Sequence, residues 1–333
     1  MMNRLLALML CAAMMTAPGC EKATAHKKPP IRISVNIWPG FALAYLAEEK
    51  GFFKKNNVEV ELILKDSTPE SLELFTSGEV DGCFDLFADM IMINSKGIPA
   101  KIVCVVDYSV NGDVIIGRPD LGSLADLAGK TVSFEGVNTF SHIFVLSALE
   151  KAGLNENDVK FKNVKAHNVL VELENKSIDA GHTWEPTKTE ALQKGYKILA
   201  KAGDTPGIIT DILAFNPRVI AERPDDIRGI VKSMFEALDY LEHNHDESVK
   251  IMADKMGMTN EEMLSGLSGI HQPDIKEQTE LLTTTTTTTT TTISLYKCGK
   301  IITDFLLNRG QMPRSLDINN VIEPKFIEEL SGK

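Results

Sequence analysis

From Ile31 onward the chain alternates short strand-like runs with helix-like runs, and this rhythm constrains the fold more than any other feature. Ile31–Asn36 (IRISVN) alternates apolar and polar residues, the period-two pattern of a half-buried strand. Residues 41–50 are rich in Ala, Leu and Glu, and Gly51 closes them as a helix C-cap. Residues 58–64 (VEVELIL) form a second strand by the same alternation. Thr68 and Pro69 supply an N-cap and a first helical residue, and Gly78 supplies the stop. Residues 80–84 make a strand, 85–96 a helix, 97–99 a turn and 101–107 a strand. Such alternation predicts an α/β fold with a mostly parallel sheet.

A second unit of the same kind follows. Ser123 and Asp126 make a capping box over one short helix that Gly129 ends. Residues 131–135 are a strand and 141–151 a helix. Strands at 159–164, 178–183 and 196–200 alternate with helices around Leu170 and Leu192. Residues 208–215 (IITDILAF) form a strand that leads back to the first unit. The remainder is helical: Ile227, Ile230, Val231, Met234, Leu238 and Leu241 fall on one face. Asp246 starts a further helix that Gly257 ends, Thr259 and Glu262 form a capping box, and Ile301, Phe305 and Leu306 mark one more helix. Ten consecutive threonines, residues 283–292, interrupt this part. They carry no helical stripe and are expected to be a surface connection.

The first thirty residues have a different character. Arg4 precedes an apolar run, residues 5–15, followed by Thr16-Ala17-Pro18-Gly19 and Cys20. A charged start, a short apolar core and small residues make an export signal, and the core is too short to span a bilayer. Cys20 directly after the small residues matches a bacterial lipobox, which makes it the expected lipidation site; a plain secretory signal containing a Cys is the alternative. Residues 20–30 are polar, end in two prolines, and are expected to be a tether reaching at most about 35 Å.

The formal net charge is −11, and loss of the leader with Arg4 makes it more negative. This argues against nucleic acid, which needs clustered Lys and Arg. No apolar run after the leader approaches membrane-spanning length, so the folded part is expected to be soluble. Beyond Cys11 and Cys20, the remaining Cys83, Cys104 and Cys298 are widely spaced and expected to be buried inert thiols. No P-loop, GxGxxG, GxSxG or HExxH motif occurs, and no His or Cys has metal-ligand spacing. No cofactor is expected.

Ligands of open α/β sheets bind outside the carboxyl ends of the strands. Both tryptophans of the chain stand there, Trp38 in Trp38-Pro39-Gly40 after the first strand, and Trp184 in His182-Thr183-Trp184-Glu185-Pro186. One lies in each unit, so their faces could clamp a ligand. Asn138, Thr139 and Ser141 precede a helix and could cradle an anionic group. Asp113, Glu185 and Asp211 would instead pair with a cation or with hydrogen-bond donors. Asp85, at the end of the 80–84 strand, joins these candidates. His142 and His182 beside them read as structural.

Taken in order, IWPGFALAYLAEEKGFFKKNNVEVEL, DYSVNGDVIIG, LADLAGKTVSFEGVNTFSHIFVLSALEKAGL, HTWEPTKTEALQKGYKIL and GDTPGIITDILAF resemble the nitrate/sulfonate/taurine-type substrate-binding proteins of ABC transporters. The resemblance implies a two-lobed periplasmic-binding-protein fold (type II) with two crossover segments and the ligand in the interlobe cleft. Lobe one is expected at 31–115 plus 211–333, lobe two at 116–210. By matching position, Trp38, Asp113, Ser141, Trp184 and Asp211 fall in the family's ligand-facing segments. The implied partners are a small-molecule ligand and the permease and ATPase subunits of an importer, with a monomeric protein held to the membrane through Cys20 on the outer or periplasmic side. The ligand class stays open between a sulfonate or taurine-like zwitterion, nitrate, and a pyrimidine or thiamine precursor. Enzymes built on the same fold, and a sensor or adhesin lipoprotein, are the other classes.

Overall fold

A computed structural model describes residues 28–205, 207–283 and 293–332. The leader, Cys20, most of the tether and residues 284–292 of the threonine tract lie outside the described residues.

The described chain folds around two mixed sheets. The first contains β1 (Ile31–Asn36), β2 (Val60–Lys65), β3 (Gly82–Leu86), β4 (Lys101–Ser109), β10 (Thr210–Phe215) and β11 (Ile270–His271), in the order β11-β4-β10-β3-β1-β2. The second contains β5 (Val114–Gly117), β6 (Thr131–Phe134), β7 (Lys160–Asn163), β8 (Ala180–Thr183) and β9 (Lys197–Lys201), in the order β7-β6-β8-β5-β9. Each sheet with its covering helices is a lobe. Segments 110–113 and 202–209 cross between them.

The expected mostly parallel sheet needs correction. β10 enters lobe one from the crossover side, so it must run against β4, which leaves towards that side. It is accordingly antiparallel to both β4 and β3. β5, returning into lobe two, is antiparallel to β8 and β9 for the same reason. The boundary expected at 115/116 also shifts, because Val114 pairs with Thr183 and Ile115 with His182 in the second sheet. β5 escaped the sequence reading because all four of its residues are buried, so it shows no alternation.

Lobe one has the larger core. Phe41, Phe84, Phe87, Phe215 and Phe326 are fully buried. The long helix Pro224–His243 buries Ile227, Ile230, Val231, Met234 and Leu241 along one face, the stripe its sequence announces. Helices Pro217–Glu222, Ile275–Thr283 and Lys325–Leu330 were not apparent in the sequence. The last is docked by a parallel bridge between Ile102 and Ile322. Cys83, Cys104 and Cys298 are free and buried, and burial pushes the Cys104 and Cys298 thiols up to about 12.

The end of the expected tether is not free. The Pro29 carbonyl accepts from Arg223 Nη1 at 2.9 Å, and Lys28 Nζ lies 3.5 Å from Asp226 Oδ2. Residues 28–30 therefore belong to the surface of lobe one. Among the described residues no helix is long and apolar enough to cross a membrane.

Candidate functional site

The two crossovers lie side by side beneath the cleft. Gly203 N–H donates to the Val110 carbonyl at 2.7 Å, and Ala202 N–H to the Asp113 carbonyl at 3.0 Å. On the lobe-one side the N–H groups of Val110, Asn111 and Gly112 converge on the Gly269 carbonyl at 2.8–2.9 Å. Asp113 thus sits on a crossover, where a side chain can touch what lies between the lobes.

Trp38 follows β1 and is packed from below. A Cβ on Gly112 would come within 2.8 Å of its ring, and one on Gly266 within 2.2 Å of Pro39. Pro39 therefore packs on helix Asn260–Ser268 and braces the turn. The Trp38 Nε1–H donates to Asp107 Oδ2 at 3.1 Å. From lobe two, Trp184 Nε1–H donates to the Ile37 carbonyl at 3.1 Å. The two indoles meet edge to face, ring centroids 6.4 Å apart at 84°. Phe140 lies 5.9 Å from Trp184.

Around this aromatic group runs a belt of buried carboxyls. Asp107 and Asp211 are register partners on β4 and β10 and are both buried. Burial pushes Asp107 up to about 7 and Asp211 well above the usual carboxylate range, with Asp107 itself adding to the latter shift. Two carboxyls facing each other in a buried site do not both ionise easily. Asp85 and Asp89 form a second such pair, Asp85 held well up by burial and by Asp89, and Asp89 raised to about 7 by burial. Glu135, 2 % exposed, is raised to about 8, again by burial.

Ser141, His182 and Asp113 form a chain. Ser141 Oγ accepts from Glu135 N–H at 2.8 Å and lies 2.7 Å from His182 Nδ1; His182 Nε2 lies 2.9 Å from Asp113 Oδ1. With the hydroxyl proton pointing at Nδ1, Nε2–H donates to the carboxylate. His182 and Ser141 are fully buried. The chain fixes one oxygen of Asp113 and leaves Oδ2 without a partner.

Asn36, Trp38, Thr68, Asp113, Trp184 and Asp211 share one pocket. Asn36 Oδ1, Thr68 Oγ1 and Asp113 Oδ2 are buried there without hydrogen-bond partners. With the indoles in contact the pocket has only about 10 Å³ of room, the space of one water. A wider chamber of about 280 Å³ lies on the other side of Trp184, between its ring, Pro186, Met256 and Met258.

The other expected residues lie elsewhere. Glu185 lines the outer chamber and is engaged by Ser265 Oγ at 2.6 Å and Lys188 Nζ at 2.9 Å. Asp85 is fully buried and does not line the pocket. Several groups of the expected anion cradle are engaged by the protein's own atoms. Asn138 N–H donates to His142 Nδ1, Thr139 Oγ1 to the Glu135 and Gly136 carbonyls, and Phe140 N–H to Asp89 Oδ1. Among the described residues, no group of three or more acids, His or Cys is arranged to hold a metal.

A model of the family described as NMT1/THI5 like matches residues 38–248, more than half of the chain. The chain belongs to the NMT1/THI5-like family. A putative thiamine biosynthesis protein of Haemophilus influenzae is 30 % identical over 152 residues, 45 % of this chain and 47 % of that protein, so the match spans about half of its length. A putative binding protein of Brucella abortus is 26 % identical over 67 % of this chain and 70 % of its own. A formylaminopyrimidine-binding protein of Halalkalibacterium halodurans is 24 % identical over 38 % and 41 %. The fold is that of the alkanesulfonate-binding protein of Xanthomonas axonopodis pv. citri, TM-score 0.71 at 15 % identity, covering 90 % of this chain and all of that one. It is shared with the periplasmic nitrate-binding protein of Synechocystis PCC 6803, TM-score 0.71 at 14 % identity, over 91 % and 88 %. The desulfurization enzyme DSZB also has it, TM-score 0.66 at 13 % identity, over 92 % and 99 %. The periplasmic-binding-protein fold expected from the sequence is thereby established, and the family shown is the NMT1/THI5-like one.

Proposed function

We propose that this protein is the extracytoplasmic solute-binding component of an ABC importer, and that its ligand is a small, flat, donor-rich heterocycle of the aminopyrimidine class. The observation that carries this is the pocket between Trp38 and Trp184, with its unpartnered acceptors Asn36 Oδ1 and Asp113 Oδ2 beside the unpartnered Thr68 hydroxyl. A buried acceptor without a partner is costly, so the ligand that relieves it must offer N–H or O–H groups. A nitrate ion offers none, and a sulfonate brings negative charge towards a belt of carboxyls. An aminopyrimidine offers ring faces to the indoles and amino hydrogens to the oxygens. The thiamine-related and formylaminopyrimidine-binding relatives point the same way.

Capture requires the lobes to part, because the closed pocket is narrower than a ring. Closure excludes water and strengthens each polar contact, and the ligand drives it through its greater affinity for the closed form. Cys20, as a lipid anchor, would keep the monomer beside its permease and raise its effective concentration there.

An enzymatic reading draws on the DSZB likeness and the Ser141–His182–Asp113 chain. That chain speaks for orientation instead. Ser141 is fully buried, and its oxygen already accepts from Glu135 N–H, so a substrate carbonyl has no path to it.

A thermal-shift series with a 4-aminopyrimidine, a short alkanesulfonate and nitrate tests the reading. A ligand at 100 times its dissociation constant adds about 2.7 kcal/mol of stability. A shift with the sulfonate or nitrate and none with the aminopyrimidine rejects the proposed class.

A further inference from the structure

We propose that Asp89 determines specificity by serving as a built-in anion at the start of the lobe-two helix Phe140–Lys151. This rests on the ligand-capture reading and goes beyond it by naming the residue that turns anions away. The start of a twelve-residue helix attracts negative charge, because its first N–H groups have no partner within the helix and its dipole is positive there. Phe140 lines the ligand pocket, so an anionic ligand entering the cleft would be drawn to this helix end.

The position is already taken. Asp89 belongs to helix Phe87–Ser95 of lobe one, yet its Oδ1 accepts the Phe140 N–H of lobe two at 2.9 Å. Asp89 is 2 % exposed, so water does not compete for this bond. Two further polar groups at the same helix start are engaged by the protein itself: Asn138 N–H goes to His142 Nδ1, and the Ser141 hydroxyl to His182. Asp85 and Glu135 stand close enough to influence the same carboxyls, so a second anion would meet like charge as well as an occupied donor.

The bond also spans the cleft. Closing the lobes brings this carboxylate to the helix, so the closed form satisfies the Phe140 N–H without help from the ligand. The ligand is then free to be neutral or cationic. An anion could reach the helix only by displacing Asp89 and leaving its carboxylate buried and unpaired, which is costly.

Calorimetry of wild type, Asp89→Asn and Asp89→Ala with ethanesulfonate and, separately, with a 4-aminopyrimidine tests this. Asp89→Asn keeps an oxygen for the Phe140 N–H and removes the charge; Asp89→Ala removes both. The expected result is ethanesulfonate affinity that rises at least about tenfold, near 1.4 kcal/mol, in Asp89→Ala and less in Asp89→Asn. Melting curves establish that both variants fold. Equal ethanesulfonate titrations in wild type and folded Asp89→Ala, including no binding in either, overturn the role of Asp89. Wild type that binds ethanesulfonate as tightly as Asp89→Ala overturns it too. Failure of the aminopyrimidine to bind any of the three proteins counts against the proposed ligand class alone, and a sulfonate gain in Asp89→Ala then still supports the specificity role.

Discussion

Asp107 on β4 and Asp211 on β10 stand opposite each other as antiparallel register partners, both buried beside the Trp38 pocket. A carboxyl pair in that position exists only because β10 runs against β4. It makes the acid–base state of the cleft part of the stability of the fold.

Stability should therefore fall as pH rises from mildly acidic values towards about pH 8. Asp89 and Asp107 are raised to about 7 and Glu135 to about 8 by burial. A carboxyl whose folded pKa lies above its unfolded value stabilises fully below the unfolded value and loses that contribution as pH rises through the folded one. His142, lowered to about 4 by burial, works oppositely, but only below its unfolded value near 6.5. Melting temperatures should thus decline from about pH 4.5 to about pH 8, partly offset by His142 below about 6.5, and level off above; Glu135→Gln should flatten the decline. A slope in Glu135→Gln as steep as in wild type would show that Glu135 does not contribute.

Trp38→Ala and Trp184→Ala should each weaken aminopyrimidine binding by about 1–3 kcal/mol while leaving the fold intact, the loss expected for an aromatic anchor. Titration calorimetry measures it, and unchanged affinity in both variants rejects the clamp.

Gly40→Ala should be destabilising out of proportion to its size. The added Cβ would lie 1.8 Å from Asp107 Oδ2. The carboxyl must move, and the Trp38 Nε1 bond at 3.1 Å moves with it. Overpacking of this kind costs about 1–3 kcal/mol. A drop in melting temperature together with red-shifted tryptophan emission is expected; unchanged emission would show that Trp38 keeps its seat.

Cys20→Ser should release the protein from membranes or leave it unprocessed, as the apolar run ending in Ala17-Pro18-Gly19-Cys20 implies. Fractionation of cells expressing the variant gives the answer. Membrane attachment at the size of the processed wild type would remove the lipid-anchor proposal.

The sequence made the α/β rhythm and most strands legible because half-buried strands alternate and caps punctuate helices. β5 was hidden, since a fully buried four-residue strand has no polar face to alternate with. The two tryptophans were found through the rule that ligands gather at strand ends. The same rule also covers Asn36, which ends β1, and Asp107, which lies near the end of β4, although neither was singled out. Asp89 carried no signal at all. It lies inside an apolar helix, and its partner is the backbone of Phe140, fifty-one positions away in a different lobe. The Asn138-Thr139-Ser141 turn was recognised as a helix start, but sequence could not show that the protein itself engages several of its groups.

The grip of Arg223 on the Pro29 carbonyl has a mechanical corollary. Residues 28–30 and the last described helix, Lys325–Leu330, both rest on lobe one. Lobe two carries neither described end of the chain, and its covalent links to lobe one are the two crossovers. Any leash on the amino terminus would therefore hold lobe one, and an opening of the lobes would then be a swing of lobe two, like a shutter on two straps. In such a swing the Trp184 side of the proposed clamp would travel, and the Trp38 side would stay where it is.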